Sequence, residues 1–276
     1  MSEFTGIRGP IWFEKLTGTR GPLPGDTASV WTADLSLDGE QARFLAVVTD
    51  PESRFPRARH GELGIEQAAT LAARVREVIA EDQNKPQRRS LVSIVDVKSQ
   101  AYGRREEMLG IHQGAAMVVD AYASARMAGH PVVALIVGHA FSGAFLAHGY
   151  QANRILAFGD EGVMIHAMHK EAAARITRRT IEDLDRLGSR IYPLSYSIRD
   201  YARLGMLHEL LPVTQPDQPL LKEIEFVKER VLAAIRDARS SAPDLSNRLQ
   251  SPEAKASRRS TLRVREVMMQ QWESPK

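Results

Sequence analysis

The fold of this chain follows from one segment, Val132-Val133-Ala134-Leu135-Ile136-Val137-Gly138-His139-Ala140-Phe141-Ser142-Gly143-Ala144-Phe145. Its first six residues form an apolar run typical of a strand buried on both faces. The small residues that follow predict a turn, and a helix is expected over residues 142–152. A buried strand that leads through a turn into a helix is typical of α/β proteins.

Strands and helices alternate on both sides of this segment. Asp38-Gly39 joins two strand-like runs, which predicts a hairpin. The spacing of apolar residues predicts strands at 30–37, 42–49, 91–97, 154–158 and 163–166, and helices at 65–79, 108–122, 176–187 and 220–235. The alternation predicts an α/β fold with largely parallel strand pairing.

Length and charge predict one core with two extensions. The 276 residues suit one large domain or two small ones. We expect a Gly- and Pro-rich arm without regular structure at 1–25 and a single core at 26–235. The basic extension at 236–276 holds nine basic and five acidic side chains, with a linker over 240–260 and a terminal helix near 262–272. A basic tail can bind nucleic acid or phosphorylated ligands, but a solvated or docking tail is favoured, and no nucleic-acid partner is expected.

Composition excludes several kinds of chemistry. The chain has no cysteine, which rules out disulfides, cysteine-ligated zinc, iron–sulfur clusters and thiol nucleophiles. No apolar run reaches about 18 residues, so no membrane-spanning helix is expected. The first four residues lack a signal-peptide pattern, and we expect a cytoplasmic protein without a membrane partner.

The turn after the buried strand is the first candidate site. Backbone N–H groups in the first turn of a helix have no intrahelical acceptor, so those of Gly143 and Ala144 can bind an oxygen that becomes negative during a reaction. Small residues that let the helix pack closely on the sheet are the alternative. A serine hydrolase would need Gly-x-Ser-x-Gly, but Ala140 stands at the nucleophile position and Ser142 lies two residues later.

Two other segments carry polar side chains near strand ends. In residues 96–105, Gln100 and Tyr102 can hydrogen-bond a ligand, and two arginines follow. A helix-start loop with exposed arginines is the alternative there. His166 and His169 have the spacing of a shared metal site, but no third ligand is in view, so we expect no metal. They line a ligand cleft or cap the strand, and His139 can meet them from a neighbouring strand.

These three segments together resemble the carboxyltransferase branch of the crotonase superfamily. Residues 96–103 are similar to the motif Asp-Thr-Pro-Gly-Ala-Tyr-Pro-Gly, with Ala101-Tyr102 retained and one residue gained. Pro131-Val132-Val133 matches the family's Pro-Val-Val strand. Residues 138–145 are similar to Gly-Glu-Gly-Gly-Ser-Gly-Gly-Ala, except that Ala144 replaces the second glycine of the pair and His139 and Phe141 replace small or acidic residues.

The resemblance extends to the gamma subunits of biotin-independent malonate decarboxylases, including Tyr192-Pro193 and residues 203–206. It implies a crotonase-like spiral of ββα units and a heterodimer with a homologous beta subunit, with the active site between the two. The implied substrate is a malonyl thioester on an acyl carrier protein with a CoA-like prosthetic group, and the products are the acetyl thioester and CO2. A carrier transferase is a further expected partner, with no tightly bound cofactor and no biotin.

The resemblance also implies roles for single residues. Gly143 and Ala144, with Ser142 at the turn, would form an oxyanion hole for the departing carboxylate. Tyr102, His139 or His166 would orient that carboxylate or protonate the alpha carbon. The expected substrate-binding residues are Gln100, Ala101, Gly103, Phe141 and His169. The basic tail, with Arg258, Arg259, Arg263 and Arg265, would steer an acidic carrier or pack against the partner.

Three other functions stay open from the sequence. The first is a biotin-dependent acyl-CoA carboxyltransferase alpha subunit, which an assay with carboxybiotin separates from a decarboxylase. The second is a stand-alone crotonase-like hydratase or thioester hydrolase, which predicts activity from the isolated chain. The third is a non-catalytic scaffold that docks the carrier protein.

Overall fold

The computed structural model describes residues 6–273. The strands in this part of the chain are β1 Val30–Leu37, β2 Glu40–Val47, β3 Glu62–Leu63, β4 Ser90–Val97, β5 Ser99–Gln100, β6 Val132–Phe141, β7 Arg154–Phe158, β8 Ile165–His166 and β9 Glu209–Leu211. The helices are α1 Arg8–Thr17, α2 Ile65–Glu81, α3 Arg104–Met108, α4 Ile111–Met127, α5 Ser142–His148, α6 Lys170–Thr177, α7 Ile181–Gly188, α8 Ile198–Arg203, α9 Leu221–Arg239, α10 Asn247–Gln250, α11 Pro252–Ser257 and α12 Arg259–Glu273.

The predicted α/β class is confirmed by the sheet. Its strand order is β1-β2-β4-β6-β7-β9, with β8 beside the end of β6, and every pair except β1–β2 is parallel. A second, two-stranded parallel sheet joins β3 to β5. Helix α2 packs on α4, and α1 and α9 pack on the main sheet. Within residues 6–273, none of the helices combines the length and apolar character needed to cross a membrane.

The predicted hairpin is confirmed. Val30 pairs with Val47 at one end and Leu37 with Glu40 at the other. Asp38 and Gly39 both have positive φ, at 47° and 84°. Two successive left-handed residues form the type I′ turn, whose twist matches that of the flanking strands.

Strand β6 is longer than the sequence pattern predicts. The expected turn at residues 138–141 is extended backbone, because Ala140 and Phe141 pair with Ile165 and His166 of β8. The N–H of Ala140 donates to the carbonyl of Met164 over 2.8 Å. The change of direction is therefore concentrated at Ser142, which has φ +56°.

The expectation that the N-terminal segment lacks regular structure was wrong. Helix α1 places Trp12 and Phe13 in the core with no exposed surface. The Trp12 ring packs edge-on against Phe158 at 4.6 Å, and its Nε1–H donates to the carbonyl of Pro216. The glycines and prolines that suggested a loop suit helix ends instead, since Pro10 lies in the first turn and Gly18 closes the helix at φ +72°.

The expected linker at 240–260 was also wrong in part. This segment forms α10 and α11, and Arg248 and Ala254 are 5% and 0% exposed. The guanidinium of Arg248 donates to the carbonyls of Tyr150 and Ala152, which holds the segment against the core. The predicted terminal helix is confirmed as α12. The division of the chain at residues 25 and 235 stays a prediction.

Two predicted helices are interrupted by left-handed residues. Gly110, at φ +83°, separates α3 from α4, so that Met108 is 77% exposed instead of lying on the apolar face of a long helix. Arg178, at φ +53°, ends α6, and Thr180 then caps α7 by accepting the N–H of Asp183. The remaining predicted helices are present, with ends that differ by a few residues.

Candidate active site

The turn between β6 and α5 brings all three predicted segments into contact. The N–H of Gly143 donates to Oε1 of Gln100 over 2.8 Å. Strand β5 positions Gln100, because Gln100 pairs with Leu63 and the N–H of the buried Ala101 donates to the Leu63 carbonyl. A Cβ atom on Gly143 would lie 3.0 Å from Oε1 of Gln100, so this close approach favours glycine.

The two expected oxyanion donors differ in their access to the surface. Gly143 is partly exposed, whereas Ala144 has no exposed surface. A ligand can therefore reach the N–H of Gly143 after displacing Gln100, but the N–H of Ala144 lies inside the protein. Of the two residues only Gly143 is partly exposed in this chain, and both donor roles stay predictions.

Ser142 lies at the turn, but its hydroxyl is not arranged as a nucleophile. Its Oγ donates to the carbonyl of Ala167 over 3.0 Å. A serine nucleophile instead requires its proton to be taken by a general base within hydrogen-bond reach. The positive φ of Ser142, +56°, is similar to that of the strained strand-to-helix turn in serine hydrolases. The hydroxyl nevertheless stabilises the turn through its hydrogen bond to Ala167.

The three predicted histidines meet in a cluster of rings. Phe141 stacks on His169 with centroids 4.4 Å apart, and the His139 ring approaches Phe141 edge-on at 5.3 Å. His166 stacks on Tyr196 at 4.0 Å, and Tyr196 lies 6.1 Å from Phe141. Phe141 thus links His139 to His169, and His166 joins the same group of rings through Tyr196.

Tyr196 was missed from the sequence. Its hydroxyl donates to the carbonyl of Met168 over 2.6 Å, and its ring supports His166. Burial raises its pKa, so the hydroxyl keeps its proton. Tyr196 lies in an irregular segment, where an isolated tyrosine carries no periodic signal; only the tertiary contact identifies it.

Burial keeps two of these histidines neutral. It lowers the pKa of His139 to about 4, and the nearby charges of His169 and Arg8 act in the same direction. Burial also lowers the pKa of His166, whose Nδ1 lies 2.8 Å from the Met168 carbonyl. The Nε2–H of His169 donates to the carbonyl of Lys98. A group with a pKa near 4 is almost fully deprotonated at neutral pH, which disfavours His139 as a proton donor.

The carboxyl group of Asp96 holds the backbone that precedes the turn. Its two carboxylate oxygens accept the N–H groups of His139 at 3.0 Å and Gly9 at 3.1 Å. A Cβ atom on Gly138 would lie 2.2 Å from Oδ1 of Asp96, so glycine is required at that position. The buried carboxylate therefore joins α1 to the end of β6 and does not face a ligand.

Two further predicted site residues lie apart from this cluster. The side chain of Tyr102 is 56% exposed and forms no hydrogen bond within residues 6–273. Gly103, at φ +151°, precedes α3. In the same part of the chain, no group of three or more His, Asp or Glu side chains is arranged to hold a metal ion.

The largely parallel sheet, the long β6 strand and the strand-to-helix turn at Ser142 belong to a carboxyltransferase-type protein with a crotonase-like fold, as its solved relatives show. A family model described as malonate decarboxylase gamma subunit (MdcE) matches residues 58–272. The chain belongs to the malonate decarboxylase gamma-subunit family. The predicted resemblance and fold class are thereby confirmed.

Several known proteins are similar to this chain. A Pseudomonas malonate decarboxylase hetero-tetramer in complex with coenzyme A is 50% identical, with a TM-score of 0.92 over 96% of this chain and 100% of that chain. A Pseudomonas MdcD-MdcE hetero-dimer is 49% identical, with a TM-score of 0.89 over 96% and 99% of the two chains. The malonyl-S-ACP:biotin-protein carboxyltransferase MADD of Malonomonas rubra is 36% identical over 77% of this chain and 72% of that protein.

A more distant structure shares the fold alone. The transcarboxylase 12S core is 19% identical, with a TM-score of 0.57 over 77% of this chain and 36% of that chain.

Proposed function

We propose that this chain and an MdcD-type beta subunit together decarboxylate a malonyl thioester on an acyl carrier protein, giving the acetyl thioester and CO2. The observation that carries the proposal is the N–H of Gly143, presented at a strand-to-helix turn and paired only with the neutral amide of Gln100. Support comes from the MdcD-MdcE hetero-dimer, to which this chain is 49% identical.

The proposed chemistry needs charge stabilisation on the thioester oxygen and a fixed position for the carboxylate, whose negative charge is lost as CO2 leaves. Loss of CO2 leaves an electron pair on the alpha carbon, which delocalises onto the thioester oxygen as an enolate. The beta subunit would hold that oxygen, and Gly143 would hold the departing carboxylate. A charged oxygen forms a stronger hydrogen bond than a neutral amide, so the carboxylate displaces Gln100 from the N–H of Gly143. Removal of a donor at the thioester oxygen typically costs about 100–1000-fold in rate, whereas the contact of Gly143 acts by holding the carboxylate in position.

The proton that completes the acetyl group would come from another residue. The low pKa of His139 makes it a poor acid at neutral pH, so it would act as a neutral wall of the site beside Phe141. Tyr102 and His166 stay the candidates from this chain; burial also lowers the pKa of His166, which makes it a weaker proton source than a free histidine on the acidic side of neutral pH. Gln100, Ala101, Gly103, Phe141 and His169 would line the path of the substrate.

The proposed partners follow from the same relatives. The Pseudomonas hetero-tetramer was solved with coenzyme A, which favours an acyl thioester as the substrate class. The CoA-like group would be carried on the acyl carrier protein, and a transferase would load that carrier. We further propose that no biotin is required and that the protein works in the cytoplasm.

The test is co-expression with an MdcD-type subunit, followed by an assay of CO2 release from malonyl-carrier. We expect turnover from the pair and none from either chain alone. Activity from the isolated chain would instead favour a hydratase or thioester hydrolase, and carrier binding without turnover would favour a scaffold.

A second candidate is favoured by the carboxyltransferase relative. MADD is described as a carboxyltransferase that moves a carboxyl group from malonyl-S-ACP to a biotin protein, and this chain is 36% identical to it. In this alternative the carboxyl group passes to biotin instead of leaving as CO2. Addition of a biotin-carrier protein to the same assay separates the two, because only the transferase accumulates carboxybiotin and depends on the acceptor.

A further inference from the structure

Tyr196 lies against His166 because the backbones of their two segments are joined. The N–H of Ile165 donates to the carbonyl of Tyr196 over 3.1 Å, and Met164 pairs with Ser197 in an isolated antiparallel bridge. The rings of Tyr196 and His166 stack with centroids 4.0 Å apart and an angle of 16° between their planes. Strand β8 and the residue before it therefore determine where the Tyr196 side chain lies.

One ring nitrogen of His166 contacts the backbone, and the other does not. Nδ1 lies 3.0 Å from the backbone nitrogen of Met168 and 2.8 Å from the carbonyl oxygen of the same residue. Nε2 forms no hydrogen bond with any residue in 6–273. The ring is partly exposed and lines a cavity that Ser142 also lines, beside Gly143. Nε2 is therefore the nitrogen of His166 that a ligand can reach.

The hydroxyl of Tyr196 favours one of the two neutral forms of His166. It donates to the carbonyl of Met168 over 2.6 Å, so that carbonyl already has a donor. With the ring proton on Nε2, Nδ1 accepts the N–H of Met168, and the N–H and the carbonyl of Met168 both have partners. With the proton on Nδ1, the N–H of Met168 faces another donor and stays unsatisfied, which is unfavourable. The contacts therefore favour the form of His166 with its proton on Nε2.

The charged groups around the pair favour a neutral imidazole and a protonated phenol. The ammonium group of Lys170 lies 5.3 Å from the Tyr196 ring centroid and forms an ion pair with Asp185. Burial raises the pKa of Tyr196, and the charges of Glu171 and Asp185 act in the same direction, so the hydroxyl stays a donor. The described residues of the ring cluster and of the cavity include no carboxylate, and their basic side chains are His139, His169, Arg190, Arg248, Arg258 and Arg259. Neighbouring positive charges oppose protonation of a histidine.

We propose that Tyr196 is a positioning residue that holds His166 in the form with its proton on Nε2, and that His166 donates this N–H to an oxygen of the substrate. The inference rests on the proposed function, in which a carboxylate binds at the neighbouring Gly143. Enzymes use a neutral imidazole as a hydrogen-bond donor in this way. In this role His166 holds the substrate and gives up no proton, which leaves Tyr102 as the candidate from this chain for protonation of the alpha carbon.

The first test measures the protonated nitrogen of His166 in the full chain by NMR of 15N-labelled histidine side chains, with His166→Gln to assign the signal. We expect the proton on Nε2 in the native protein. Tyr196→Phe keeps the ring but removes the donor to the Met168 carbonyl, so the form with the proton on Nδ1 should gain population. Tyr201→Phe is the control, because the Tyr201 hydroxyl forms no hydrogen bond within residues 6–273, and it should leave the signal unchanged. A native ring protonated on Nδ1, or an unchanged signal in Tyr196→Phe, overturns the proposal.

The second test uses the complex with the beta subunit and separates a hydrogen-bond donor from an acid. The amide of glutamine can donate from near the place of Nε2, whereas asparagine places its amide near Nδ1, and neither amide is an acid–base group. We expect His166→Gln to keep about tenfold more kcat/KM than His166→Asn. Tyr196→Phe should lose about three- to tenfold in kcat/KM, and Tyr201→Phe should keep the native value.

The dependence of kcat on pH completes the comparison. A neutral donor predicts the same profile on the alkaline side for the native complex and for His166→Gln. If His166 were instead the acid, the native rate would fall as the imidazolium loses its proton, that fall would be absent from His166→Gln, and the Gln and Asn variants would lose activity equally. Those results overturn the donor role. Absence of decarboxylation by the native complex would overturn the proposed function, whereas the NMR measurement still decides the form of His166.

Discussion

Gln100 and Gly143 are joined by a hydrogen bond from the N–H of Gly143 to Oε1 of Gln100, 2.8 Å long. The two residues belong to different elements, β5 and α5, and the bond places a neutral amide oxygen where the proposed reaction needs an anionic one. Under the proposed function, Oε1 of Gln100 lies where an oxygen of the substrate carboxylate would bind. The strength of the Gln100–Gly143 hydrogen bond determines how readily a ligand oxygen can replace Gln100 at the N–H of Gly143.

Gly143→Val should reduce decarboxylation by about 100-fold, because loss of this contact misplaces the substrate carboxylate. The added side chain begins 3.0 Å from Oε1 of Gln100, so it displaces the amide and blocks the approach of an oxygen to the N–H. CO2 release by the complex with the beta subunit measures the effect, and thermal unfolding verifies that the complex is intact. Near-normal turnover by a folded variant would contradict the donor role of Gly143.

Gln100→Glu should be more harmful than Gln100→Ala. A carboxylate at this position forms a charge-assisted hydrogen bond to Gly143 and repels a substrate carboxylate. We expect kcat/KM to fall by about tenfold more for the Glu variant than for the Ala variant. Gln113→Glu, an exposed change of the same charge on α4, is the control. Equal kcat/KM values for the two Gln100 variants would show that the amide does not compete with substrate.

Ser142→Ala should leave turnover within about threefold of the native rate. The hydroxyl donates to the carbonyl of Ala167 and is not paired with a general base. A net hydrogen bond contributes about 0.5–1.5 kcal/mol, so stability should fall by that amount at most. Complete loss of activity would instead revive a serine nucleophile, and trapping of an acyl-enzyme by mass spectrometry would test that outcome.

Asp96→Asn should destabilise the fold by about 1–3 kcal/mol. Both carboxylate oxygens of Asp96 accept backbone N–H groups, whereas the amide group of asparagine would face one of those donors with another donor. Urea unfolding gives the free-energy change. Asp120→Asn, which removes an exposed ion pair with Arg76, should change stability by less than about 1 kcal/mol. An equal effect at both positions would contradict the role assigned to Asp96.

The stability of the protein should fall between pH 7 and pH 4.5, in part through His148. Nδ1 of this fully buried ring is hydrogen-bonded to the Tyr122 hydroxyl. Burial lowers the pKa of His148 to about 4. An unfolded histidine has a pKa near 6.5, so between about pH 6.5 and pH 4 the unfolded chain binds a proton that the folded chain does not. The free energy of unfolding therefore falls as the pH falls through this range. One such group contributes about 2 kcal/mol of loss by pH 4.5.

His148→Asn should therefore flatten the dependence of unfolding free energy on pH, although it lowers stability at pH 7. The exposed His112→Asn is the matched control and should keep the native slope. Urea unfolding at a series of pH values measures both slopes. If His148→Asn leaves the slope of unfolding free energy against pH unchanged, other groups such as His139 cause the acid sensitivity.

Local patterns predicted most of the sheet. Asp38-Gly39 determined its hairpin because a type I′ turn depends on two neighbouring residues only, and the apolar runs of β4, β6 and β7 identify strands buried on both faces. Patterns failed where partners lie far apart in sequence. The β8 pairing extended β6 into residues read as a turn, and Trp12 makes the N-terminal helix part of the core.

The candidate site divides in the same way. The small residues at 142–144 and the polar residues after β4 were sufficient to locate its parts, since each follows a strand end along the chain. Sequence order does not predict which of these residues reaches the surface; in the structure Gly143 is partly exposed and Ala144 is buried. The contact of Gln100 with Gly143, the stacking of Tyr196 on His166 and the burial of Arg248 against two backbone carbonyls arise only when separate elements pack together. Secondary structure depends mainly on near neighbours, whereas access, pairing and pKa depend on the whole packed chain.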